Sequence, residues 1–321
     1  MSPRFARHAL AHAFWANVCA ALALVATGLA FGADAVRPDA VRSDAARPDG
    51  LRPATVNAKL EARLPGKFIW FDCVTADTYG SKAFYGAVFN WEFHSIGSGP
   101  GRYTLIENKG RNVGGMHFRP REKGGATGSR WLSLVSVDDP AQAARYVETH
   151  GGKVVVPPTP FEGRGTHALF RDSDGAIFGV LKSGTGDPPD GAVAPGEFAW
   201  LDLFTRDPMQ AAEFYRGLAG YDVTMKDTPS QTKRAMLSTG GVVRASIITL
   251  PKEIQDPGWL PFVHVDDVAA TVARAAANGG KVLFAPRPDY FGGYIAVIAD
   301  PLGGVIGIVN RTEALKKANP K

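Results

Sequence analysis

The sequence predicts an α+β fold of two tandem domains, each a pair of βαβββ units forming a cup-shaped sheet with helices outside. Three observations predict it: a long internal repeat, helices opened by Asp and stopped by Gly-Gly, and short apolar runs between them. FIWFDCVTAD (68–77) aligns with FAWLDLFTRD (198–207), so Trp70 pairs with Trp200, Asp72 with Asp202, Thr75 with Thr205 and Asp77 with Asp207. Phe84-Tyr85 pairs with Phe214-Tyr215 at the same offset. Further on, Val137-Asp138-Asp139 matches Val265-Asp266-Asp267, and Gly151 to Val154 matches Gly279 to Val282.

Residues 1–35 read as a secretory signal. Arg4, Arg7 and His8 give a positive start, Ala13 to Phe31 is almost wholly apolar, and Ala33-Asp34-Ala35 offers a cleavage site. An uncleaved anchor is the alternative, because the apolar run approaches the roughly 20 residues that cross a bilayer. Residues 36–64 follow as a spacer built on AVRPD, AVRSD and AARPD, with nothing large to bury, and are expected to be disordered. The first domain spans 65–182, the Gly/Pro-rich linker 183–196, the second domain 197–311 and a tail 312–321.

Within each domain the first unit reads strand, Asp-capped helix and strands. The second reads strand (WLSLVSV, 131–137; WLPFVHV, 259–265), Asp-capped helix, Gly-Gly stop and strands. Val268, Val272, Ala275 and Ala276 fall at helical spacing. Asp172, Asp174 and Gly175, with Asp300 and Gly303, are expected to form tight turns before the last strands. If each cup closes within its own domain, cutting near residue 190 should give two soluble halves.

The net charge is +5, and +4 once Arg4, Arg7 and Asp34 leave with residues 1–35. No Lys/Arg stripe marks the folded part, so no nucleic-acid partner is expected. Only Cys73 would survive cleavage, which excludes an intrachain disulfide; between apolar strand neighbours it reads as a buried thiol.

The duplicated order of strand, Asp, helix with Phe-Tyr, Val-Asp-Asp, Gly-Gly and a final Asp-x-x-Gly turn resembles the vicinal oxygen chelate (glyoxalase-like) superfamily over residues 66 to 310. Trp70-Phe71-Asp72, Trp200-Leu201-Asp202, GAIFG (175–179) and GGVIG (303–307) resemble its two-domain glyoxalase-related group most closely. The resemblance implies a divalent metal held by His, Gln or Glu from the first and last strand of each unit. The matching positions are Trp70, Leu132, Gly179, Trp200, Leu260 and Gly307, none of which has a metal donor. His117 lies where the alignment is unsettled. No metal and no cofactor are therefore expected.

Strand alternation places Trp70, Asp72 and Val74 on the cup face and turns Phe71, Cys73 and Thr75 toward the helices. The second cup receives Trp200, Asp202 and Phe204, with Leu260, Phe262 and His264 from the partner strand. Trp70, Asp72, Trp200, Asp202, Phe262 and His264 are thus the candidate pocket, suited to a small organic or cationic ligand. Asp202 and His264 are the candidate acid/base pair; the plainer reading makes the aromatic residues plugs and the polar ones structural. Arg164 between two glycines, and Arg287 with Tyr290, sit on loops at the cup rims, where they could bind an anionic ligand group; solvated rim charges are the plainer reading.

The expected function is an exported, metal-independent small-molecule binding protein of this superfamily. The alternative is a lyase, isomerase or dioxygenase-type enzyme acting on a small oxygenated or dicarbonyl substrate. The expected partner is a small-molecule ligand, with the membrane met only through an uncleaved signal segment. A homodimer stays open.

Overall fold

The computed structural model describes residues 62–96, 103–120, 128–161, 163–227, 233–251, 256–289 and 291–318. The expected signal segment, nearly all of the spacer and Tyr290 lie outside the described residues. No described helix is long and apolar enough to cross a membrane.

The first half contains β1 (Phe68–Thr75), α1 (Thr78–Phe89), β2 (Glu92–Ile96), β3 (Tyr103–Asn108) and β4 (Arg111–Phe118). Its second unit is β5 (Arg130–Ser136), α2 (Pro140–Thr149), β6 (Lys153–Phe161), β7 (Gly165–Arg171) and β8 (Ile177–Ser183). The second half repeats the order with β9 (Phe198–Thr205), α3 (Pro208–Ala219), β10 (Asp222–Asp227), β11 (Lys233–Thr239) and β12 (Val242–Thr249). It closes with β13 (Gly258–His264), α4 (Val268–Ala277), β14 (Lys281–Phe284), β15 (Ile295–Ala299), β16 (Val305–Val309) and α5 (Arg311–Ala318).

Each half forms one eight-stranded sheet, ordered β2-β3-β4-β1-β5-β8-β7-β6 and β10-β11-β12-β9-β13-β16-β15-β14. The first strands of the two units meet antiparallel at the centre, and each runs parallel to the last strand of its own unit. The helix caps are those read from sequence. Asp77, Asp139, Asp207 and Asp267 each accept backbone N–H bonds from the first turn, at 2.8–3.0 Å. Gly151 and Gly279 follow α2 and α4 with φ of 82° and 83°, in the left-handed region where glycine ends a helix without strain.

The cups close within each half, but the halves do not have separate cores. Phe71, Cys73, Tyr85 and Trp131 belong to the same buried cluster as Leu203, Phe214, Tyr215 and Trp259. Phe71 stacks on Phe198 at 3.8 Å between ring centroids, and Trp91 Nε1 donates to Gly196 O at 2.8 Å. α1 packs on α4 and α2 on α3, so the convex, helix-bearing faces are turned toward each other.

The Asp turns complete this arrangement. Asp172 Oδ1 accepts the N–H groups of Asp174 and Ala176, and Asp300 Oδ1 those of Leu302 and Gly304, tight turns as expected. The second oxygen of each reaches across: Tyr215 Oη donates to Asp172 Oδ2 and Tyr85 Oη to Asp300 Oδ2, both at 2.9 Å. Tyr85 and Tyr215 in turn accept from Trp131 and Trp259. Separating the halves would expose this shared apolar face and orphan four buried polar partners, which argues against two independently soluble halves.

Candidate functional site

The concave face of the first cup is built on β1. Pleating turns Phe71 and Cys73 into the shared core, and burial raises the Cys73 thiol pKa well above its usual value, as befits a structural thiol. The alternate residues Trp70 and Val74 face the cup with Leu132, Leu134, Leu169 and Leu181.

Asp72 lies beside Trp70 but is not a free carboxylate at the cup mouth. Its Oδ1 accepts from Trp70 Nε1 at 2.9 Å and from Tyr103 Oη at 2.6 Å. Its Oδ2 lies 2.7 Å from Arg164 Nη2 and 3.7 Å from His117 Nε2. Burial raises the pKa of such a group, but the Arg164 charge, the nearby His117 imidazole and the bond from Arg164 outweigh it and hold the carboxyl well below the usual carboxylate range.

Arg164 is the residue whose role the sequence hid. Far from being a solvated rim charge, it is buried and lies 4.9 Å over the Trp70 ring, 5.3 Å from Phe161 and 5.7 Å from Tyr103. The β6–β7 turn aims it there: Gly163 and Gly165 have φ of 75° and 121°, and a Cβ on Gly165 would run into Lys182 O. The protein's own guanidinium thus occupies the cationic place on this aromatic wall.

Tyr103 reaches Asp72 because Gly115 faces it on β4; any Cβ there would overlap the Tyr103 hydroxyl. Burial raises the Tyr103 pKa above its usual value, and Asp72 raises it further, so it stays a neutral donor. His117, left open in the sequence, faces the cup with its ring 4.5 Å from Tyr103. His167, 5.8 Å from Phe161, has its pKa lowered first by burial and then by Arg164. The only sequence hints of this set were Gly-Arg-Gly (163–165) and Gly114-Gly115.

The second cup keeps Trp200 and Asp202, with a 2.8 Å bond from Trp200 Nε1 to Asp202 Oδ1, but changes the partners. The registers make Arg234 the counterpart of Tyr103, and Ser246 that of Gly115. Ser246 Oγ donates to Asp202 Oδ1, and Arg234 Nη2 lies 3.8 Å from Oδ2. Phe262 lies directly on Gly307 and joins Leu260, Leu283, Phe284 and Val297 in a packed cluster, against which Trp200 and Ala314 of α5 also pack.

The Asp202–His264 pair is not formed. Asp202 stands opposite Leu260, so His264 lies four residues along, on the order of 13 Å at strand rise. His264 is buried at the opposite end, its Nδ1 3.2 Å from Val309 O and 3.3 Å from Arg311 N. Ser136, its counterpart, donates to Asp187 at 2.5 Å. Arg287 pairs at the surface with Asp289 at 2.6 Å.

The positions implied for a divalent metal do not fit one. The register makes one row of Trp70, Leu134 and Gly179 and another of Trp200, Phe262 and Gly307. Neither row has a donor, and each glycine is covered by an apolar side chain. Among the described residues only Glu92, His94 and Glu107 bring three metal-capable groups together. They lie on β2 and β3 at the edge of the first sheet, three and two strands from β1.

Comparisons with known proteins fit this geometry. The Glyoxalase/Bleomycin resistance protein/Dioxygenase superfamily matches residues 67–180, and the Glyoxalase-like domain family matches 199–309. The anthracycline biosynthesis protein DauV of Streptomyces sp. strain C5 is 30% identical over 279 residues, covering 79% of this chain and 96% of that protein. DnrV of Streptomyces peucetius, likewise an anthracycline biosynthesis protein, is 29% identical with the same coverage. Among solved structures, the Mn(II)-bound glyoxalase from Novosphingobium aromaticivorans aligns with a TM-score of 0.53 at 19% identity, covering 76% of this chain and 81% of that one. The 2,3-dioxygenase LapB from Pseudomonas sp. KL28 aligns with a TM-score of 0.52 at 12% identity, covering 78% and 93%. These two share the fold.

Proposed function

Starting from a chain that belongs to the glyoxalase, bleomycin-resistance and dioxygenase superfamily, we propose that its first cup binds a small organic molecule without a metal. One observation carries this reading. Where the fold would have a cation held by strand side chains, the described residues offer no donor row, and a buried guanidinium, Arg164, stands on Asp72 against Trp70, Phe161 and Tyr103.

An arginine in that place can orient an oxygenated ligand by hydrogen bonding. Its engagement with Asp72 and Tyr103 fixes it in place, which supports binding and orientation of such a ligand. The second cup has Ser246 and Arg234 where the first has Gly115 and Tyr103, and packs Phe262 into an apolar cluster, which favours one ligand per chain, in the first cup. Relatives named for anthracycline biosynthesis agree with a molecule rather than a macromolecule as the occupant. Export through residues 1–35 is part of the same proposal, and a secreted-reporter fusion to residues 1–64 tests it.

The test of binding is a thermal-shift screen of the purified chain against dicarbonyls, catechols and polycyclic aromatic ketones, with and without chelator. Bound ligand raises the melting temperature by mass action. The expected result is a chelator-insensitive shift saturating at one ligand per chain. Stoichiometric metal in the purified protein, or metal-dependent consumption of a dicarbonyl or catechol, would establish the enzyme reading instead.

A further inference from the structure

Two polar atoms of the first cup are buried without a hydrogen-bond partner: Arg164 Nε and His167 Nδ1. Building on the reading of this cup as a small-molecule site, we infer that its ligand is a neutral, flat aromatic compound with a carbonyl-type oxygen that accepts from Arg164 Nε–H.

The charge arrangement selects neutrality. The Arg164 side chain is 8% exposed, and its Nη2 is 2.7 Å from Asp72 Oδ2. Nη1 donates to Tyr103 Oη at 2.9 Å and lies 3.4 Å from Asp72 Oδ1. A carboxylate entering the cup meets a guanidinium already neutralised by Asp72, with no surplus positive charge to offset its desolvation. An ammonium meets the aromatic faces with a cation already on them.

The hydrogen-bond inventory selects an acceptor. Both Asp72 oxygens are engaged, and Tyr103 Oη donates to Asp72 while accepting from Trp70 Nε1 and Arg164 Nη1. Arg164 Nε can only donate, so among these groups it asks for an oxygen from outside. His167 Nδ1 accepts or donates according to tautomer, and a hydroxyl or second carbonyl near the first would satisfy it. Trp70, Phe161 and Tyr103 surround the guanidinium with aromatic carbon, so a ligand that reaches Nε–H lies in ring-lined, apolar surroundings.

Calorimetric titration of the full chain with three bicyclic probes at neutral pH tests this: chromone (neutral, one carbonyl), 2-naphthoate (anion) and 2-naphthylmethylammonium (cation). Chromone should bind at least tenfold more tightly than either ion. Arg164→Lys keeps a cation facing Asp72 but removes Nε–H, and should weaken chromone at least tenfold while leaving a cooperative melt. If the variant does not fold, the ranking on the unaltered chain decides. Tighter binding of either ion, or undiminished chromone binding by a folded Arg164→Lys protein, overturns the ligand class and leaves the small-molecule reading standing. If none of the three binds and the wider screen is silent, both fall.

Discussion

Arg164 Nη2 lies 2.7 Å from Asp72 Oδ2, an ion pair closed by residues 92 apart in sequence and buried on both sides. Removing one member leaves the other charged and dry. Asp72→Asn and Arg164→Met should each lower unfolding stability by about 3–5 kcal/mol in denaturant titrations. Replacing both, as Asp72→Leu with Arg164→Met, should cost less than either alone. Equal, additive losses would show that the two do not act as a pair.

Gly115 is needed because the Tyr103 hydroxyl occupies the space of its absent side chain. Gly115→Ala should destabilise by about 1–3 kcal/mol through overpacking. Adding Tyr103→Phe should recover part of that loss, since the equivalent register position in the second cup is Ser246 beside Arg234.

The crossed bonds from Tyr85 to Asp300 and from Tyr215 to Asp172 tie each half to the last turn of the other. Tyr85→Phe and Tyr215→Phe should each cost about 1–3 kcal/mol, as the buried N–H of Trp131 or Trp259 loses its acceptor. Halves expressed separately, cut near residue 190, should aggregate alone and recover solubility when co-expressed. A monodisperse single half would refute the shared core.

His167 has its pKa lowered by burial and by Arg164, so the unfolded chain, titrating at about 6.5, binds the proton first. Stability from this residue is fully present above that pH and declines as the solution is acidified below it, by no more than about 1.4 kcal/mol per pH unit. Asp72, also depressed, contributes stability that is present above about pH 4, its unfolded value, and lost only as acidity titrates the folded carboxyl. Melting temperatures of wild type and His167→Phe from pH 4 to 8 should converge above pH 7 and separate below 6.5. Parallel profiles would remove His167 from this account.

The repeat, the Asp caps, the Gly-Gly stops and the order of strands were legible because each is a local preference written at a fixed spacing. Trp70, Asp72, Trp200 and Asp202 were placed on the concave faces because strand alternation needs only parity. Which polar groups then meet depends on register between strands and on turns far away in sequence. The β9–β13 register sets Asp202 opposite Leu260, four residues short of His264. A Gly-Arg-Gly turn that looked like a solvated rim aims Arg164 at Asp72. The helices' shared burial was equally beyond reach, since an apolar helix face states that it needs cover and not which half of the chain supplies it. The sequence by itself determined the elements and the face of each side chain, through near-neighbour energetics; only the tertiary structure decided the partners, because a buried charge takes its meaning from whatever the distant chain brings within 3 Å.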